Sequence, residues 1–270
     1  MRTVVHLSDL HFGRVNPRLV APLVQAITTV APDLVAVSGD LTQRARRREF
    51  VQARAFLQQL TCPQIIVPGN HDVPLYNMAA RFWRPLAGYR RYITQDLEPV
   101  FVDEEMIVVG LNSARSVMFG GGRLNQEQVR RAAARLNSAA PHVVKIVVTH
   151  HPFELPEGHD EAHLIGRSQM AMAQLAPAGA DVFLAGHLHL SHIGRTAGRY
   201  KIAGHDALVV QAGTMSTRGR GELNSFNVVR IARPHITVER HMWDEAHKTF
   251  RMSRSGVFEH TTRGWALRPA

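Results

Sequence analysis

The chain runs to 270 residues, with 45% hydrophobic side chains, 14 prolines and a formal net charge of +10. Such a length holds one large domain or two small ones with a sizeable core, and the composition excludes a disordered binder. A lone cysteine, Cys62, excludes an intrachain disulfide and suits a reducing compartment. Asp9 interrupts the opening apolar run before it reaches secretory length. No apolar stretch of about 18 residues follows, so a cytoplasmic location is expected, with any membrane contact peripheral. Lysine occurs only at Lys145, Lys201 and Lys248, so the positive charge is almost all arginine. Arginine in that quantity either attracts anions (phosphate esters, nucleic acid, acidic lipid) or solvates the surface.

In chain order, Thr3-Val4-Val5 reads as a first strand, and Leu19, Val20, Leu23, Ala26, Ile27 and Val30 recur at helical spacing over 17–30. A strand is expected at 34–38, a helix through Phe50, Ala53, Phe56, Leu57 and Leu60, and a strand at 64–67. Segment 77–93 mixes aromatics with arginines, which suits either a helix over the core with its arginines outward or a lipid contact. Strand 106–111, helix 127–136, strand 143–149, helix 168–175 and strand 181–185 continue the alternation. Past Gly186 only short strands are expected, at 192–196, 200–203, 207–211, 225–231, 235–242 and 248–254. This pattern predicts an α/β fold, a four-layer α-β-β-α sandwich with antiparallel strands at its C-terminal end. One domain over 1–270 is expected, with residues 1–190 as the α/β part and 191–270 mainly β-strands that complete the sandwich.

Six short segments carry the chemistry: Asp9-Leu10-His11, Gly39-Asp40, Gly69-Asn70-His71-Asp72, His150-His151, Gly186-His187-Leu188-His189 and Gly213-Thr214. Nearly all follow a short apolar run that reads as a strand buried on both faces, so their side chains should converge at one sheet end. Alone, each segment would more often be a turn or a helix cap. Together they suit a site for two metal ions, which clamp the attacking and leaving oxygens of a phosphate ester. Asp40, alone at its strand end, suits a bridge between the ions. Asp9 and His11, two apart in an extended stretch, would point to one side, and His187 with His189 would repeat that geometry. Asn70 adds a neutral amide oxygen. So many histidines favour Mn, Fe or Zn over Mg. Two divalent ions carry four positive charges against the two of Asp9 and Asp40, so the centre suits an anionic ester.

These motifs resemble the calcineurin-like metallophosphoesterase superfamily, whose pattern is D-x-H, G-D, G-N-H-[DE], a lone H and G-H-x-H. The whole pattern occurs in order over residues 9–189. Ser8-Asp9-Leu10-His11-Phe12 and Thr149-His150-His151-Pro152 look most like its bacterial cyclic-nucleotide phosphodiesterase (class III) group. The resemblance implies one ion on Asp9, His11, Asp40 and His189 and a second on Asp40, Asn70, His150 and His187. It also implies His71 as the imidazole facing substrate, with Asp72 orienting it.

Other residues are more open. His151 would contact substrate or cap its loop. Arg218 and Arg220, soon after Gly213-Thr214, would reach a substrate phosphate. Gly120-Gly121-Gly122 lacks the Lys-Ser/Thr of a phosphate-binding loop and reads as a loop near the cleft. Arg44, Arg46, Arg47 and Arg48 read as a solvated helix face, and His6, His142, His235, His241 and His260 as ordinary histidines. The expected activity is hydrolysis of a small phosphodiester, cyclic nucleotides first, in a homo-oligomer. Alternatives are a nuclease, a hydrolase of a lipid-linked or nucleotide pyrophosphate, and a scaffold that keeps the fold without catalysis. The complete ligand set with His71-Asp72 counts against the last.

Overall fold

The structure is a computed structural model and describes residues 1–219 and 221–268. The first half contains β1 (Arg2–Leu7), α1 (Pro17–Val30), β2 (Leu34–Val37), α2 (Arg47–Leu57), β3 (Gln64–Ile66), α3 (Met78–Trp83) and α4 (Ala87–Tyr92). The second contains β4 (Val100–Val102), β5 (Met106–Gly110), α5 (Gln126–Asn137), β6 (Val144–Val148), α6 (Ser168–Leu175), β7 (Val182–Ala185), β8 (His192–Arg195) and β9 (Leu208–Gln211). β10 (Ser225–Ala232), β11 (His235–Asp244), β12 (Thr249–Thr261) and β13 (Gly264–Leu267) then return to the first half. They build a seven-stranded sheet in the order β13-β12-β11-β10-β1-β2-β3, facing a six-stranded sheet ordered β4-β5-β6-β7-β9-β8. β1, β2 and β3 are parallel, as are β5, β6, β7 and β9, while β10 meets β1 antiparallel.

Alternation along each strand explains the layers. Val4, Leu34, Ala36 and Ile65 of the first sheet meet Val108, Ile146, Leu184 and Val210 of the second in an inner core. Their neighbours Val5, Leu7, Val35 and Val37 point the other way, onto Leu19, Leu23 and Ile27 of α1 and Phe50 and Phe56 of α2. On the far side Val109, Val147 and Phe183 meet Val129 and Leu136 of α5 and Met172 and Leu175 of α6. Both faces of every central strand are dry, so the strands read as unbroken apolar runs. Each fully buried Val or Leu contributes about 1.5–3 kcal/mol, enough to fix the layering. The four-layer α-β-β-α sandwich expected from the pattern is the architecture observed.

Helix starts follow local chemistry. The Asn16 side chain accepts from Arg18 N ahead of Pro17, and Asn125 and Gln128 cap each other's backbone at α5.

Three expectations need correction. Residues 200–203 form no strand, because β9 already pairs with β7 and β8, and Tyr200 instead sends its hydroxyl to Phe153 O at 2.6 Å. β4 and β13 are additional edge strands. Segment 77–93 is two short helices, and Arg81 within it is 1% exposed rather than outward. Its guanidinium donates to Ser116 O, Pro74 O and Met118 O at 2.7, 3.0 and 2.9 Å, which ties α3 to the loop after β5. Its neighbours Phe82 and Trp83 face solvent. Among the described residues no helix is long and apolar enough to cross a membrane.

Candidate metal centre

The motifs lie just past the C-terminal ends of β1, β2 and β3 in one sheet and of β6, β7 and β9 in the other. The site therefore sits where the same ends of two sheets meet. The backbone there is not extended as the spacing suggests. Asp9, His11, Asp40, His187 and His189 have φ of 52°, 46°, 52°, 74° and 60°, all left-handed. Such a conformation costs roughly 1–3 kcal/mol per residue and persists only where the surroundings over-determine it. Here Asp9 N donates to Gly39 O, His11 N to Asp40 O and His187 N to Asp9 Oδ2. These bonds lock the loops to one another.

The motif glycines make that contact possible. A Cβ on Gly69 would lie 2.1 Å from Asp40 Oδ1, and one on Gly186 would lie 1.7 Å from Ser8 Oγ and 2.5 Å from Asp9 Oδ2. Gly186→Ala is therefore expected to destabilise the fold by roughly 1–3 kcal/mol and to weaken metal uptake. Thermal melting and metal titration check this; wild-type values in both would mean the loop has slack that the contacts deny.

The side chains converge. His11 Nε2 lies 3.0 Å from His189 Nε2 and 3.5 Å from Asp9 Oδ1, which is itself 3.2 Å from His189 Nε2. His150 Nε2 lies 3.1 Å from Asn70 Oδ1. Asp40 Oδ2 faces both groups, 3.6 Å from His11 Nε2 and 3.4 Å from His150 Nε2. His187 stands with its ring centre 5.2 Å from that of His150. Among the described residues, four groups of donor type lie close enough to share an ion: Asp9–His11–His189, His11–Asp40–His71, Asp9–Asp40–His150 and His150–His151–His187.

The hydrogen bonds at the outer ring edges fix which nitrogen turns inward. Nδ1 of His11, His150 and His189 faces the carbonyl of Thr42, Ser38 and Arg218 respectively, so it carries the proton. Nε2 is then the nitrogen of each that faces the centre, able to offer a lone pair once any proton on it is displaced. Asp9 Oδ1 has no hydrogen-bond partner although it is buried. Burial pushes both aspartates up, but the surrounding imidazoles hold Asp9 and Asp40 well below the usual carboxylate range. Burial pulls the His150 imidazolium down, yet Asp40, with help from Asp9, lifts it to about 9. His187, by contrast, is driven to about 3 by burial and by the charge on His150. Two buried carboxylates thus demand positive charge, which a cation can supply in place of the His150 proton. A donor set of imidazole, carboxylate and one amide oxygen fits borderline cations of the Mn, Fe or Zn type.

The remaining candidates sit as follows. His71 turns Nδ1 to Gln43 O at 2.7 Å and leaves Nε2 at the mouth, 3.3 Å from Arg218 Nη1. Asp72 does not orient it: its carboxylate accepts from Gly69 N, Leu41 N, Thr42 N and Thr42 Oγ1, as the end of the short turn Asn70–Asp72 curls back. Burial and the charge of Asp40 raise Asp72 to about 6. His151 is fully buried, with Nδ1 on Ser113 Oγ at 2.8 Å, and is not among the residues that line the mouth. Arg218 does line it, whereas Arg220 lies outside the described residues. His163 was not marked by any motif; its Nδ1 lies 3.1 Å from His187 Nε2, brought there by a turn at Glu161–His163. The mouth is a cavity of about 350 Å³, with Phe119, Gly120, Gly121, His71 and Arg218 among its walls.

This fold, with Asp, His and Asn side chains gathered at the shared strand ends, defines a phosphoester hydrolase whose centre can hold two metal ions. The chain belongs to the calcineurin-like phosphoesterase family, whose model matches residues 2–191. It is similar to the glycerophosphodiester phosphodiesterase GpdQ of Enterobacter lignolyticus, 26% identical over 69% of this chain and 70% of that protein. It is also similar to a Synechococcus protein named as a probable cyclic nucleotide phosphodiesterase, 26% identical over 56% of this chain and 58% of that one. Among solved structures, a dimetal phosphatase from Danio rerio superposes with a TM-score of 0.67 at 13% identity, covering 88% of this chain and 95% of its own. A purple acid phosphatase from yellow lupin, Lupinus luteus, gives 0.68 at 13% identity over 94% and 53%. At those identities the two structures speak to the fold alone.

Proposed function

We propose that the chain is a two-metal phosphodiesterase for small diesters, with cyclic nucleotides the first candidates. The observation that carries this reading is Asp40 Oδ2, which faces His11 Nε2 at 3.6 Å on one side and His150 Nε2 at 3.4 Å on the other. In this reading Asp9, His11, Asp40 and His189 hold one ion, and Asp40, Asn70, His150 and His187 the second. When bound, two such cations supply charge stabilisation at the phosphoryl group and ease formation of the hydrolytic nucleophile. The similarity to diesterase-named relatives supports a diester substrate, and a mouth of about 350 Å³ suits a small one.

The chain's own groups do the rest. Gln43 O holds the proton on His71 Nδ1, so Nε2 is the atom that exchanges a proton: the imidazolium gives its Nε2 proton to the departing alkoxide and returns to the neutral Nδ1–H form. Arg218, exposed beside it, holds a non-bridging phosphoryl oxygen. Arg218→Ala should raise KM for an anionic diester several-fold more than it lowers kcat, because a charged hydrogen bond to the ground-state phosphate is uniform binding. Steady-state kinetics decide this, and an unchanged KM would remove Arg218 from the substrate.

The function itself is tested with bis-p-nitrophenyl phosphate, p-nitrophenyl phosphate, cyclic AMP, single-stranded DNA and a lipid pyrophosphate, each assayed with Mn²⁺. The expected result is cleavage of the two small diesters ahead of the monoester. Cleavage confined to DNA or to the lipid pyrophosphate would replace the proposal with one of those activities.

A further inference from the structure

Phe119 stands apart among the walls of the catalytic mouth. The other described walls are glycines, one alanine and the polar or charged groups Asp40, Asn70, His71, His163, His187, His189 and Arg218. Phe119 is 55% exposed, so part of its ring is open at the mouth. Its position is set from behind, where the Arg81 guanidinium lies 4.1 Å from its centre. That guanidinium is buried and bonded to the carbonyls of Ser116 and Met118, so one face of the ring is fixed to a rigid anchor. Gly120, next in the chain, has no side chain, and a Cβ there would meet nothing within 4 Å. The space beside Phe119 in the chain is therefore open.

We infer that Phe119 is a stacking platform for a planar aromatic group of the substrate, a nucleobase in a nucleotide diester, beside the centre that takes its phosphate. The inference rests on the phosphodiesterase reading and deepens it. One flat aromatic wall among polar groups suits one planar ring. A lipid chain would need a continuous apolar groove, and the exposed Phe82 and Trp83 do not line this mouth. Stacking on an aromatic side chain tolerates any base and strengthens binding by about tenfold or more.

The test is calorimetric binding of AMP and of ribose 5-phosphate to the metal-loaded protein, which share a phosphate and differ by the base. Wild type should bind AMP about tenfold tighter or more. Phe119→Leu should abolish that difference with ribose 5-phosphate affinity unchanged, and Phe119→Tyr should keep it. Equal binding of the two probes by wild type, no binding of AMP, or an unaltered preference in Phe119→Leu would each overturn the platform. Because binding is read directly, the result stands apart from turnover. A protein that prefers AMP through Phe119 but cleaves no diester would sink the functional proposal and keep this one.

Discussion

Replacing Asp40 by Asn should remove most of the bound metal and lower diesterase turnover by about 10³-fold or more. The carboxylate oxygen that faces His11 and His150 belongs to both ligand groups, so its loss weakens two sites at once. Cations at such a centre contribute several kcal/mol of charge stabilisation, which corresponds to about 10³-fold in rate. Asn keeps the size of the side chain and retains an oxygen able to accept from His71 N, as Asp40 Oδ1 does at 2.8 Å. The fold should therefore survive, with an unchanged circular dichroism spectrum as the control. Elemental analysis of a variant that still carried about two ions per chain, with wild-type turnover, would refute the shared-carboxylate arrangement.

His71→Ala should behave in the opposite way for metal. Its Nε2 points to the mouth and its Nδ1 is committed to Gln43 O, so both ions should remain. Turnover of diesters with alkoxide leaving groups should fall by roughly 10²–10⁴-fold, the range for loss of a positioned proton donor. With a p-nitrophenolate leaving group, which departs without a proton, the loss should be much smaller. Comparing kcat for cyclic AMP and bis-p-nitrophenyl phosphate reads this directly. Equal losses on both substrates would assign His71 to charge stabilisation alone, and a loss of metal would make it a ligand.

The layers and the strand ends were legible in the sequence because every central strand is dry on both faces. Leu34-Val35-Ala36-Val37 could scarcely be anything else. The edges were not legible. β4 is only Val100–Val102, with exposed and half-buried residues, and β13 only Gly264–Leu267, so their apolar residues are too few to stand out from a loop. The ligand types and their gathering at strand ends were legible too, but not the backbone that aims them. Asp and His adopt left-handed φ more readily than most residues, but at these positions tertiary hydrogen bonds impose it, and those the sequence does not display. The partners of Asp72 and the choice between the two roles open to His151 were hidden for a related reason: adjacency to a ligand does not say which way a side chain turns. His163 and the buried Arg81 lie in segments where neither spacing nor composition separates them from surface residues. Only the loop contacts of the folded chain reveal them.

The position of β1 has a consequence for how the molecule is made. Its register runs Arg2↔Ile231 to His6↔Asn227 on one side and Val4↔Leu34 to Leu7↔Val37 on the other. The family match ends at residue 191, before β10 begins. A nascent or truncated chain ending there would leave the backbone of β1 as an open, apolar edge, a template for pairing with a neighbouring molecule. During synthesis this strand emerges well before 225–232, which closes its second side, the kind of distant pairing that forms slowly. Strands remote from the catalytic chemistry thus act as its guard against aggregation, and shortening the chain from its C-terminal end should cost solubility before it touches a single metal ligand.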